Sequence, residues 1–266
     1  MTPVNSPSDN PFEGLAERYQ QSRPDYPDDL LAHLPRLAGE ASGVIRALVD
    51  VGAGTGIATR AFRRAMGPDW AITGVEPGLD MRTQAAAATP DEDAIDYIDG
   101  GAESLPVDAA SVGVLTVAQA IQFFDRPVFY AQAERVLCDG GLLGILQNNR
   151  DWRASALLDA YETYAEANSD GYSRDYRDID LMGEMSALDW AEPAMRFDHT
   201  WTLPMTPDRF TAMTLSRRTM KPAVAALGEA KVEADLTALA IEHADATGHV
   251  QIPYLSELFL VRKAAT

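Results

Sequence analysis

The sequence is almost without cysteine. Cys138 stands alone, so no internal disulfide can form and a reducing compartment, the cytoplasm, is the expected home. Positive charge is scarce as well: 22 basic residues face 40 acidic ones, for a net charge of −18. Such a surface repels phosphate backbones and anionic headgroups. Nucleic acid and membrane are therefore not expected as partners, although solubility alone accounts for the charge. No run approaches the roughly 20 uninterrupted apolar residues of a membrane span. Residues 1–10 are polar, with Pro3 and Pro7; they lack the basic start and apolar run of a secretion signal and read as a frayed leader. The histidines, at 33, 199, 243 and 249, share no motif spacing. Nothing has metal-ligand spacing, so no metal is expected. Each reads first as a satisfied structural or surface histidine; His199, between Asp198 and Trp201 in an expected strand, is the one to inspect first for a chemical role.

Apolar residues make up 46% of the chain, enough for one substantial core, or one core and a smaller cap. Residues 45–51 are mostly apolar and run into a glycine cluster, and a helical segment at 57–66 stops at Gly67-Pro68. A second apolar run at 70–75 ends in Glu76, and a helix at 79–88 precedes Pro90. Residues 95–98 read as a third strand. Residues 112–118, rich in valine, read as a fourth strand buried on both faces. A helix at 128–137 leads through Asp139-Gly140-Gly141 to a fifth strand at 142–147. Strands alternating with helices at this spacing imply βαβ units, a parallel sheet and helices on both of its faces. Beyond Asn148 the pattern changes. Residues 151–192 carry Trp152, Tyr161, Tyr164, Tyr172, Tyr176 and Trp190 among many charges. A strand at 195–203, helices at 207–219 and 229–244 and a strand at 250–261 follow. They read as two more sheet strands carrying helical insertions over the site, with no linker-like composition to mark a separate domain.

The informative stretch is Asp50-Val51-Gly52-Ala53-Gly54-Thr55-Gly56. Glycines there let the backbone turn sharply and approach a ligand, with amides directed at it near a helix N-terminus. Glu76, twenty residues beyond Gly56, can accept hydrogen bonds from both hydroxyls of a ribose. Nicotinamide and flavin folds use the same logic. Two details differ: position 57 is Ile, giving G-x-G-x-G instead of G-x-G-x-x-G, and Asp50 precedes the loop. An anion is unhelpful beside a pyrophosphate but suits the ammonium and sulfonium of S-adenosylmethionine.

At these residues the chain resembles the class I S-adenosylmethionine-dependent methyltransferases. Its likeness is to the methyltransferase type 11 group, in the trans-aconitate-methyltransferase-like and ubiquinone-biosynthesis branch. Five segments match in order. Tyr19-Gln-Gln-Ser-Arg23-Pro-Asp-Tyr26-Pro27 resembles an N-terminal signature, and Asp50–Gly56 the glycine motif. Val75-Glu76-Pro77 with Met81 resembles the ribose- and adenine-binding turn, and Gly100-Gly101-Ala102-Glu103-Ser-Leu-Pro106 a turn near the adenine. The fifth match is Ala118-Gln119-Ala120-Ile-Gln122-Phe-Phe-Asp125 with Arg135-Val-Leu-Cys-Asp-Gly-Gly141.

The resemblance implies a Rossmann-like α/β fold: a mostly parallel seven-stranded sheet, helices on both faces and a helical lid insertion. It implies S-adenosyl-L-methionine as cofactor and S-adenosyl-L-homocysteine as product. Residues 1–40 would be a helical cap over the cofactor site, 41–150 the cofactor-binding core, and 151–266 the lid and substrate insertions with the last two strands. Cofactor contacts would come from Asp50, Gly52, Ala53, Gly54, Thr55 and Gly56, from Glu76 and Pro77 at the ribose, and from Met81 against the adenine. Gly101, Ala102 and Glu103 would edge the adenine. Gln119 and Ala120 would line the pocket beside the methyl group, and Tyr19 and Arg23 would close it. Three departures stand out: Gly101 replaces a common Asp, Gln122-Phe123 replaces a common His-Trp, and Asp139 replaces Pro.

Methyl transfer is an in-line displacement that asks mainly for alignment and exclusion of water, and a base is needed only for a protonated acceptor. No catalytic residue is assigned. The fourth strand lacks the (Asn/Asp)-Pro-Pro-(Tyr/Phe) element that grips a planar amino group, which argues with the acidic surface for a small-molecule substrate. Gln122, Phe123, Trp152 and Arg217 are the substrate candidates. The aromatics of 151–201 serve either as cap core or as a pocket for a flat acceptor. Arg217-Arg218 with Lys221 suits a substrate carboxylate or a solvated helix end equally. Two other readings stay open: a cofactor-binding protein that assists a non-methylating reaction such as cyclisation, and an NAD(P)-dependent oxidoreductase.

Overall fold

A computed structural model of the chain describes residues 24–175 and 179–265. Tyr19, Arg23 and Tyr176 lie outside the described residues. The sheet contains β1 (Ala47–Val51), β2 (Ala71–Val75), β3 (Ile95–Ile98), β4 (Val112–Ala118), β5 (Leu137–Arg150), β6 (Met195–Met205) and β7 (Val250–Arg262), in the order β3-β2-β1-β4-β5-β7-β6. β1 to β5 are mutually parallel, and β7 runs antiparallel to both β5 and β6. β6 therefore points the same way as the first five. This is the mostly parallel, seven-stranded, Rossmann-like arrangement expected from the sequence.

The central strands are apolar on both sides because both faces are covered. On one face Leu115, Val117, Leu143 and Ile145 pack with Phe129 of helix α5 (Arg126–Val136). On the other, Leu48, Val114, Leu142 and Leu146 pack with helices α1 (Asp28–Leu31), α2 (His33–Ala38) and α3 (Ile57–Met66) through Leu31, Leu34 and Phe62. Helix α4 (Leu79–Ala87) follows β2. A third cluster is built from α6 (Ala156–Asn168), α8 (Pro207–Leu215), α9 (Lys221–Leu227), α10 (Glu229–Glu242) and the start of β7, and α7 (Leu181–Ser186) packs on the α5 face. The sequence supplies starts for several helices. Asp125, Ser155, Asp180 and Thr206 each accept a first-turn amide, from Val128, Leu158, Gly183 and Arg209. None of the described helices is long and apolar enough to cross a membrane.

Three segments differ from the sequence expectation. β5 is not confined to 142–147; it starts at Leu137 and continues to Arg150, because β7 pairs with it as far as Arg150 opposite Tyr254. The segment 151–192, unassigned above, holds α6 and α7. The helix at 207–219 stops at Leu215, and a short 3-10 turn covers Arg218–Met220. His199 serves the fold: its Nδ1 lies 2.9 Å from Asp29 Oδ2 and ties β6 to α1.

Gly113 in β4 allows the closest approach in the sheet. A Cβ there would stand 1.9 Å from the Ile45 carbonyl oxygen and 2.8 Å from Val44. Gly113→Ala is expected to cost about 1–3 kcal/mol through forced strand displacement. Gly101→Ala, whose added carbon would find its nearest neighbour at 3.6 Å, serves as control. Denaturant midpoints for the two variants check this; equal midpoints would remove the steric account.

Candidate active site

The carboxyl ends of β1, β2, β4 and β5 open into a cavity of about 1220 Å³. That is larger than the roughly 300–1,000 Å³ usual for one small ligand.

Its floor is the loop from β1 into α3. Gly52 has φ +73°, and a Cβ on it would stand 2.7 Å from the Ala120 Cβ, so only glycine lets the loop lie against the end of β4. Gly54, also left-handed at φ +56°, faces open space, with no atom within 4 Å of where its Cβ would be. Ala53 and Thr55 join these two in the lining, and the Thr55 hydroxyl is buried without a hydrogen-bond partner among the described residues. Glu76, at the end of β2, spans the next turn. Its Oε2 accepts the Gly54 amide at 3.0 Å and its Oε1 accepts the Gly78 amide at 2.9 Å. Burial pushes this carboxyl above its ordinary value, opposed by those two donors. Pro77 and the buried Met81 continue the wall.

Five expected contacts take other places. Asp50 does not reach the cavity lining. It is fully buried beneath the loop, where its Oδ2 accepts the Thr59 hydroxyl at 2.6 Å and its Oδ1 that of Thr116 at 3.3 Å. Burial raises its carboxyl to about 7. The side chain thus lies in the layer between the sheet and α3, outside the cavity lining. Gly101, Ala102 and Glu103 form a tight turn outside the lining. Ala102 joins the core, and Glu103 Oε1 accepts the Asp125 amide at 3.0 Å. Gly56 is also set back from the cavity, where a Cβ would meet the Tyr97 hydroxyl at 2.3 Å.

Gln119 and Ala120 line the cavity where β4 ends. Gln119 holds φ +60°, a left-handed conformation that strains a non-glycine residue. It is held by its amide donating to Leu146 O at 3.0 Å and by Gln122 Nε2 donating to its carbonyl at 2.7 Å. Gln122 thus clamps the strained corner as well as facing the cavity. Phe123 lies beside it with the Arg218 guanidinium 5.0 Å from its ring centroid. Trp152 also lines the cavity, approached by Arg153 at 4.3 Å and Arg174 at 4.8 Å, and Arg217 completes the expected substrate residues present in the wall. The aromatics of the cap divide: Tyr161 is fully buried cap core, whereas Trp152 and Tyr172 face the cavity.

The sequence reading missed the polar end of β5. Gln147, Asn148, Asn149 and Arg150 all contribute to the lining. Asn148 Oδ1 accepts the Ser256 hydroxyl at 2.9 Å, and Ser256 accepts the Trp201 indole N–H at 2.8 Å. Arg150 is 5% exposed and lies 3.7 Å from Glu162, with its guanidinium 4.5 Å from the Tyr161 ring centroid. The signal was the break from Leu142–Leu146 into four consecutive polar residues. None of the histidines lines the cavity, and no group of three or more metal-binding side chains occurs among the described residues.

Residues 49–145, β1 through most of β5, match the family model of the methyltransferase domain. Over this stretch the chain is similar to a methyltransferase domain, set within the Rossmann-like sheet described above. An uncharacterized methyltransferase of Mycobacterium tuberculosis H37Rv is 34% identical over 143 residues, covering 53% of this chain and 54% of that protein. A candidate methyltransferase of Dictyostelium discoideum is 28% identical over 174 residues, 62% of each chain. The chain thus spans less than two thirds of the length of these curated relatives. Among solved structures, a candidate type II methyltransferase from Anaeromyxobacter dehalogenans aligns over 91% of this chain and 97% of its own, with TM-score 0.60 and 19% identity. That likeness extends the methyltransferase architecture, as fold, beyond the matched domain into the cap.

The raised carboxyl of Asp50 has a consequence for the stability of the fold. The folded state keeps its proton up to about pH 7, while the unfolded chain loses it near its ordinary 3.8. Stabilisation from this group is therefore complete below pH 3.8 and lost as pH rises through 7. At full ionisation the loss is on the order of 4 kcal/mol. Asp50→Asn is expected to remove this component, so the stability difference between variant and parent should change between pH 4 and 8. A pH-independent difference in denaturant midpoint would contradict it.

Proposed function

We propose that the protein transfers a methyl group from S-adenosylmethionine to a small-molecule acceptor, releasing S-adenosylhomocysteine. The observation that carries this reading is the partly buried Glu76 carboxylate, braced by the Gly54 and Gly78 amides beside a loop whose Gly54 faces open space. Each carboxylate oxygen has used one acceptor site on an amide and retains another, as two ribose hydroxyls require. The unpartnered Thr55 hydroxyl and the Met81 and Pro77 walls fit a nucleoside with a polar tail. When bound, the cofactor supplies a methyl group on a positively charged sulfur, already activated toward a nucleophile.

The chain's own contribution is then orientation and dryness. In this reading residues 41–150 hold the cofactor, and residues 151–265 shape the acceptor pocket and shield it from water. The clamp of Gln122 on Gln119 keeps the corner nearest the acceptor rigid, so the approach line of the nucleophile is fixed before binding. No side chain is required as a base unless the acceptor arrives protonated. An intracellular, cytoplasmic setting and a small-molecule partner belong to the same reading.

Calorimetric titration with S-adenosylmethionine, S-adenosylhomocysteine and NADH tests it directly. Binding of the first two is expected, and Glu76→Gln should weaken it by about 10–100-fold, the loss of a charge-assisted contact. Binding of NADH in their place, or unchanged affinity in Glu76→Gln, would overturn the proposal.

A further inference from the structure

We infer that Arg150 is the seat for a carboxylate carried by the acceptor, a handle distinct from the atom that is methylated. This rests on the methyl-transfer reading only for the word acceptor; the anion seat itself stands on the geometry of Arg150. Its side chain is 5% exposed, and Nε, Nη1 and Nη2 are all shielded without a hydrogen-bond partner among the described residues. One face lies over the Tyr161 ring, 4.5 Å from its centroid. Glu162 faces it through Oε1, at 3.7 Å from Nη2 and beyond hydrogen-bond reach, while Glu162 Oε2 is committed to the Tyr172 hydroxyl at 2.5 Å. A guanidinium removed from water and left without hydrogen bonds is costly. A planar anion entering the cavity beside it satisfies the edge donors that Glu162 does not.

The chemistry favours a carboxylate over a phosphate. Among the described residues the lining contains no lysine; Arg174 is bound to Asp159 and Glu166, and Arg217 lies farther from the Tyr161 ring than Arg150, at 5.9 Å. The planar fork of Arg150, with the Glu162 carboxylate already 3.7 Å away, matches a monoanion in a two-toothed contact. Thr219, whose hydroxyl is buried without a partner among the described residues, also lines the cavity. Arg150 lies three residues beyond Gln147 along β5, about 10 Å of extended strand. Gln147 adjoins the Leu146 carbonyl that fixes Gln119. An acceptor anchored by its carboxylate at Arg150 therefore extends back toward the glycine loop, where its reacting atom lies.

The test uses the full-length protein, with and without saturating S-adenosylhomocysteine, and three probes of one shape: benzoate, benzamide and phenyl phosphate. Benzoate is expected to bind at least about tenfold more tightly than benzamide by calorimetry or ligand-observed NMR. Arg150→Met should abolish that preference while leaving S-adenosylhomocysteine affinity intact. Arg150→Lys, which keeps the charge but not the planar fork, should retain part of it and decides the matter if the Met variant does not fold. Equal binding of benzoate and benzamide, a preference undiminished in both variants, or tighter binding of phenyl phosphate would each overturn the inference. A benzoate preference in a protein that does not bind S-adenosylhomocysteine would leave the seat standing and remove the methyl-transfer reading.

Discussion

β7 lies between β5 and β6 and runs against both, pairing from Leu142 to Arg150 on one side and from Met195 to Met205 on the other. Antiparallel insertion lets one strand bind two parallel neighbours whose connection is too long to be a hairpin. It also carries β5 past the ordinary edge of the sheet, so Gln147 to Arg150 continue as a strand where a loop would otherwise begin. The same strand starts inside the cap, with Val250, Ile252 and Tyr254 buried among the cap helices. A single element therefore sets the sheet order, the height of the cavity wall and the anchoring of its roof.

On the opposite side of the cavity the organising force is electrostatic. Asp50 is buried beneath the glycine loop and Glu76 partly buried beside it; desolvation raises both carboxyls, and the Glu76 charge adds to the cost of ionising Asp50. The loop answers with backbone amides for Glu76 and hydroxyls for Asp50. The two carboxyls thus divide the work: Asp50 locks the strand to α3 through Thr59, and Glu76 keeps acceptor sites turned toward the cavity. A cationic molecule in the cavity would favour ionisation of both, which links ligand binding to the protonation of the loop.

Much of this was legible in the sequence where apolar periodicity decides the outcome. Residues 112–118, 95–98 and 57–66 take the states their patterns predict, since a strand covered on both faces and a helix with one apolar stripe have few alternatives. Spacing could not reveal which way a side chain turns. Asp50 looked like a ligand contact because it precedes the loop, yet register aims it at Thr59 and Thr116. His199 drew attention by its place between Asp198 and Trp201 in an expected strand, and its Nδ1 lies 2.9 Å from Asp29 Oδ2. α6 was obscured by interleaved charges, although Leu157, Leu158, Tyr161 and Ala165, its buried stripe, recur at helical spacing. Arg150 was passed over because a polar run after an apolar strand reads as the strand's end, and only its partner β7 keeps it extended.

The cavity's arginines sit oddly in a chain of net charge −18, and their aromatic neighbours explain how they are kept. Arg150 lies over Tyr161, Arg153 and Arg174 over Trp152, and Arg218 over Phe123. A guanidinium is weakly hydrated through its face and strongly polar at its edge. Stacking therefore satisfies the face at small desolvation cost while the N–H donors remain in the plane, free to meet acceptors. Arg174 spends its edge on Asp159 and Glu166 and becomes a strut between α6 and the loop after it. Where no acceptor among the described residues comes within hydrogen-bond reach, as at Arg150, the same stacking preserves a directed cationic edge in a dry wall. The acidic exterior and the arginine-lined interior are thus consistent: surface charge is screened over a Debye length of about 8 Å, whereas a buried guanidinium acts at contact distance in a medium of low dielectric.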